Sequence, residues 1–71
     1  MTNDYKTAFA KNLKALMKNM SQSDLARETG IPQQTISRYL SCKHTVTVEN
    51  LCKIADYFDE KTDVLLGRSE Y

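Results

Sequence analysis

Residues 21–41, reading SQSDLARETGIPQQTISRYLS, constrain this chain more than any other stretch, because they hold two helix starts and one helix stop. Ser21 stands where an N-cap belongs, and Asp24 three residues later supplies a capping-box partner and negative charge for the first turn. Leu25, Ala26 and Thr29 then make a narrow inner face, with a small residue that lets another helix come close. Gly30 follows at once and is the residue best able to take the left-handed conformation that stops a helix. Pro32 is preset for a helix start and has no N–H to leave unpaired there. Two helices separated by about two residues make a helix-turn-helix.

The second of these helices has two unlike faces. At about 100° per residue, Ile36, Tyr39 and Leu40 share one side, and Gln34, Ser37, Arg38 and Ser41 share the other, with Gln33 on the flank. A merely solvated face would more often carry Glu and Lys. Amides, hydroxyls and a guanidinium are instead the groups that pair with base edges: Gln with adenine, Arg with guanine, Ser with either. The plainer alternative is a polar solvent face by chance.

In order, these residues resemble the Cro and phage-repressor (Xre-like) helix-turn-helix domains. Their usual pattern is Thr/Ser-Gln-x-Glu/Asp-Leu-Ala, then Gly, then a polar pair followed by Thr/Ser-Ile-Ser-Arg and an aromatic. The chain supplies Ser21-Gln22-Ser23-Asp24-Leu25-Ala26, Gly30 and Gln33-Gln34-Thr35-Ile36-Ser37-Arg38-Tyr39. The likeness continues through Lys43 and Thr47-Val48-Glu49-Asn50-Leu51-Cys52-Lys53-Ile54-Ala55 to Asp63-Val64-Leu65-Leu66-Gly67. It implies an all-α, compact five-helix bundle of the lambda-repressor-like type, forming one domain over residues 1–71. It also implies a transcriptional regulator, of the repressor kind, that binds double-stranded DNA without a cofactor. The second helix of the motif would lie in the major groove, with Gln33, Gln34, Ser37 and Arg38 reading bases. Gln22, Lys43, Thr45 and Asn50 would hold the DNA backbone; for Gln22 and Asn50 a helix N-terminus adds its own attraction for an anion. Tyr39 is expected to pack inward with its hydroxyl near a phosphate.

Size and charge agree with that picture. Seventy-one residues leave room for one core only, and two Gly, one Pro and few β-branched runs favour helices. No apolar stretch approaches the roughly 18–20 residues of a membrane span, and no signal-peptide pattern opens the chain, so the expected location is cytoplasmic. The net charge is only +1, but residues 1–47 hold seven Lys/Arg against three acids, whereas residues 48–71 hold three against six. A basic half could meet phosphates while an acidic half turns away.

Outside the motif, residues 1–4 are polar and expected to fray. Phe9, Leu13, Leu16 and Met17 recur with helical spacing, so a first amphipathic helix is predicted over 5–18. Met20 would fold onto the core just before the Ser21 cap as a staple. The link to Ser21 is shorter than the resemblance suggests, so this helix ends early or sits in a shifted register. Cys42 replaces the Gly that usually ends the recognition helix; either strain is tolerated there or the loop takes another path. Thr47 should cap a fourth helix whose apolar stripe is Val48, Leu51, Cys52, Ile54, Ala55 and Phe58, with Tyr57 pointing away. Asp59-Glu60-Lys61 replaces the usual Gly-Val-Ser, which shifts the expected cap of the fifth helix, over 63–66, to Thr62. Gly67 should end it, and 68–71 form a tail.

Other chemistries find little support. Cys42, His44 and Cys52 fit no strong zinc spacing and lack a fourth ligand. A 42–52 disulfide is not expected in a reducing compartment. One His, no Gly-rich phosphate loop and no room for a deep pocket argue against an enzyme, and no small-molecule ligand is evident. The rival reading is a protein-interaction module or antitoxin that keeps the fold and acts on a protein partner. Such a module would show exposed apolar residues on the face where this chain shows amides and Arg38. One short helix reads few base pairs, so a homodimer on a palindromic operator is expected, with half-site centres about 34 Å apart. Val64, Leu65 and Leu66, three consecutive apolar residues on about one turn, are the candidate dimer contact. The alternative is that part of this surface caps the first and fourth helices.

Overall fold

A computed structural model describes residues 4–68. Its helices are α1 (Tyr5–Met17), α2 (Gln22–Thr29), α3 (Gln33–Leu40), α4 (Val48–Phe58) and α5 (Thr62–Leu65), and no strand occurs among the described residues. The all-α five-helix architecture is thus the one expected.

The start of α1 corrects one expectation. Asp4 is not part of a frayed end: its carboxylate accepts the Thr7 N–H at 3.2 Å and the Thr7 hydroxyl at 2.6 Å, so it caps the helix. Residues 1–3 of that stretch, and 69–71 of the expected tail, lie outside the described residues. The end of α1 comes early, at Met17. Lys18 takes φ 51 and ψ −111, and the Met20 N–H donates to the Met17 carbonyl at 2.7 Å. That is a type II′ turn, with Lys18 at the position glycine normally fills. Met20 then packs half-buried on the core that holds Leu25, as a staple requires.

The motif folds as its residues dictate. The Ser21 hydroxyl accepts the Asp24 N–H at 3.0 Å, and the Asp24 carboxylate accepts the Ser21 N–H at 3.4 Å. Gly30, at φ 78, ends α2 with its N–H on the Ala26 carbonyl, 2.9 Å away. Pro32 sits one place earlier than a first-turn position. It is the extended residue before α3, and its carbonyl accepts from Thr35 and Ile36.

Of the two paths open to Cys42, the strained one is taken, with φ 61. The Lys43 N–H donates to the Arg38 carbonyl at 2.9 Å and the Cys42 N–H to the Tyr39 carbonyl at 3.1 Å, the paired bonds of a Schellman ending. Thr47 caps α4 through the Asn50 N–H at 3.1 Å. The apolar stripe of α4 is narrower than expected. Leu51, Ile54 and Ala55 are buried and Phe58 half-buried, but Cys52 is exposed and Val48 is 78% exposed. Cys52 lies more than a quarter turn from the centre of the stripe, and Val48 sits on the first turn, where no described residue covers it. Asp59, at φ 52, ends α4 with a second Schellman pair. Thr62 is not the cap of α5 but its first residue; Lys61 precedes it, and no side chain caps the helix.

The core joins all five helices: Phe9, Leu13, Leu25, Ile31, Ile36, Ile54 and Leu65 are fully buried. Leu65 is therefore core and not the dimer contact expected of it; Val64 and Leu66 are half-buried. The reason is that α5 lies against both α1 and α4. The Asn12 side-chain amide donates to the Val64 and Leu65 carbonyls at 3.0 and 3.1 Å, and Gly67 (φ 75) lies where a Cβ would come within 3.0 Å of the Ala8 side chain. No helix among the described residues is long and apolar enough to cross a membrane.

Candidate nucleic-acid interface

Burial of Ile36 and Tyr39 fixes the rotation of α3, and the residues it turns outward follow from that. Gln33, Gln34, Ser37 and Arg38 are all exposed on that helix. None of these four side chains has a hydrogen-bond or ion-pair partner among the described residues, whereas Arg27 is held by Asp24 at 2.9 Å. The neighbouring Ser41 differs. Its hydroxyl folds back onto the Ser37 and Arg38 carbonyls at 3.0 and 3.3 Å, so it is engaged with the helix itself. Pro32 offers no side-chain cap to α3, in contrast to Asp4, Ser21 and Thr47 at the starts of α1, α2 and α4.

The other expected contacts are spread over three elements. Gln22 is the first residue of α2 and half-buried; Lys43 and Thr45 are exposed in the loop before Thr47. Asn50 is half-buried on the first turn of α4, and its Nδ2 donates to the Tyr39 hydroxyl at 2.9 Å. The sequence gives Asn50 and Tyr39 separate roles and does not show this bond between them. One sequence carries no signal for a pair eleven residues apart on different helices. Tyr39 does pack inward, 3% exposed and edge-on to Phe9 with ring centroids 5.8 Å apart.

Electrostatics concentrate at the helix starts. Hydrogen bonding to Ser21, and then to Arg27, holds the Asp24 carboxyl below its ordinary value. Hydrogen bonding to Thr7 does the same for Asp4. Cys42, half-buried, and Cys52, exposed, are free thiols, and no group of His, Cys, Asp or Glu suited to a metal occurs among the described residues.

A family model for the helix-turn-helix matches residues 13–65. The chain belongs to the Cro and phage-repressor type of helix-turn-helix domain. As a helix-turn-helix domain of this kind, it is a DNA-binding regulator. No curated protein and no solved structure matches it. The matched span runs from Leu13 on α1 to Leu65 on α5, so it takes in the motif and most of the core.

Proposed function

We propose that this helix-turn-helix chain is a transcriptional repressor that recognises a palindromic duplex operator as a homodimer. α3 lies in the major groove, with Gln33, Gln34, Ser37 and Arg38 on base edges. Gln22, Lys43 and Thr45 hold phosphates on either side of the groove. Asn50, the fourth residue expected there, already gives one amide N–H to Tyr39 and keeps the other for a phosphate. Pairing of two copies runs through the half-buried Val64 and Leu66. The observation that carries the reading is the outer face of α3: four exposed polar side chains, free of partners within the described residues, on a helix whose opposite face is locked in the core.

Selection of bound sequences from random duplex DNA tests this. The expected outcome is an enriched palindrome with half-site centres about one helical turn, or 34 Å, apart. Recovery of unselected sequences at high protein concentration would reject sequence-specific recognition, and an enriched single half-site would reject the homodimer.

A further inference from the structure

We infer that Asn50 is a positioning residue for α3: acting through the Tyr39 hydroxyl, it sets how the helix presents Ser37 and Arg38, and so governs sequence preference without touching a base. This rests on the reading of α3 as the base-reading helix.

Two side-chain amides tie helices together among the described residues: Asn12 joins α1 to α5, and Asn50 joins α4 to α3. The Asp4–Thr7 and Asp24–Arg27 pairs each stay within a single helical turn, but the 2.9 Å bond from Asn50 Nδ2 to the Tyr39 hydroxyl joins α4 to α3. It does so where packing supplies little else, since α3 lies mainly against α1 and α2, and α4 mainly against α2 and α5. Both partners are fixed in place. The Asn50 backbone N–H is held by the Thr47 hydroxyl at 3.1 Å, and the buried Tyr39 ring stands edge-on to Phe9.

Position along α3 gives the tie its consequence. Tyr39 directly follows Ser37 and Arg38, and its carbonyl and that of Arg38 close the strained ending at Cys42. α3 is eight residues long and has no side-chain cap at its start. A helix so short is held in angle by its side-chain contacts rather than by its own stiffness. Loss of the Asn50 bond lets the C-terminal half of α3 shift. A small shift there misaligns a bidentate Arg–guanine pair far more than it weakens a phosphate contact.

The test compares the parent with Tyr39→Phe, Asn50→Ala and the double variant. Three quantities are read: affinity for the selected duplex and for one with a changed base, the thermal midpoint, and hydrogen exchange at the Lys43 amide. Each single variant is expected to lower the ratio of the two affinities about three- to tenfold, the effect of one hydrogen bond, and the double variant no further. The Lys43 amide, which donates to the Arg38 carbonyl, should exchange faster in both. If Asn50→Ala weakens both duplexes equally while Tyr39→Phe binds like the parent, Asn50 acts on the phosphate alone and the inference is overturned. A lower midpoint with an unchanged affinity ratio overturns it too, since the bond is then only structural. If the parent itself prefers no duplex, the DNA reading fails first, and unchanged exchange at Lys43 in both variants overturns the tie as well.

Discussion

The ends of α2 and α3 turn the chain through the same left-handed step, and they meet it with different residues. At α2 the residue is Gly30, φ 78, with open space where a Cβ would stand. At α3 it is Cys42, φ 61, which carries a side chain into a conformation costing on the order of 1–2 kcal/mol for any L residue with a Cβ. The turn inside the motif is thus relaxed, and the joints around it are not: Lys18 before α2 and Asp59 after α4 also hold positive φ. Helix-ending hydrogen bonds are made at every one of these joints. What differs is whether the residue suits the backbone, so the turn type follows from the packing of the helices and the residue adapts to it or is strained.

Packing differs between the two helices: Leu25 of α2 is fully buried and Leu40 at the end of α3 is half-buried. Leu25, fully buried in α2, should cost about 2–5 kcal/mol as Leu25→Ala. Leu40, half-buried beside the strained end of α3, should cost clearly less as Leu40→Ala. Urea titrations of both variants give the difference, and equal losses would break the comparison.

The turns themselves come next. Gly30→Ala should destabilise by about 1–2 kcal/mol through backbone strain alone, since the added Cβ meets nothing within 4 Å. Lys18→Gly and Cys42→Gly should do the opposite, with a gain of up to roughly 1 kcal/mol once the added freedom of the unfolded chain is subtracted. Thermal melts under reducing conditions check all three. A clear loss in Cys42→Gly would mean that the half-buried thiol is held by packing that outweighs the strain.

A smaller effect sharpens the contrast at helix starts. Asp4 and Asp24 are bonded to the N-termini of α1 and α2, which lowers their carboxyl pKa below the ordinary 3.8. A folded-state value below the unfolded one contributes stability that is fully present above about pH 4 and lost as pH falls through the lowered folded values. Asp4→Asn and Asp24→Asn together should flatten the acid limb of the stability curve below pH 4. An unchanged limb would assign acid unfolding to other carboxylates.

Much of this was legible in the residues. Ser21, Asp24, Gly30 and Thr47 act within one turn of themselves, and local signals of that kind survive in a single sequence. The inner and outer faces of α3 follow from period alone. Features set by distant neighbours were not legible. Cys52 counts as apolar on a helical wheel, but its exposure depends on where α2 and α5 cover α4. Leu65 looked like surplus apolar surface because the Asn12 amide that ties α5 to α1 lies more than fifty residues away. The Asn50–Tyr39 bond has the same character: each residue is readable alone, and their meeting is a property of the fold.

In the proposed function, Gln33, Gln34, Ser37 and Arg38, whose side chains have no partner among the described residues, read base pairs while the loop beyond Cys42 holds phosphates. Affinities of Arg38→Ala and Lys43→Ala for the selected duplex and its single-base variants, over a range of salt, test it most directly. Arg38→Ala should lose about 1–3 kcal/mol on the preferred duplex and its preference at one base pair. Lys43→Ala should weaken every duplex alike and reduce the salt slope by about one. Equal, sequence-independent losses from both variants would contradict the account.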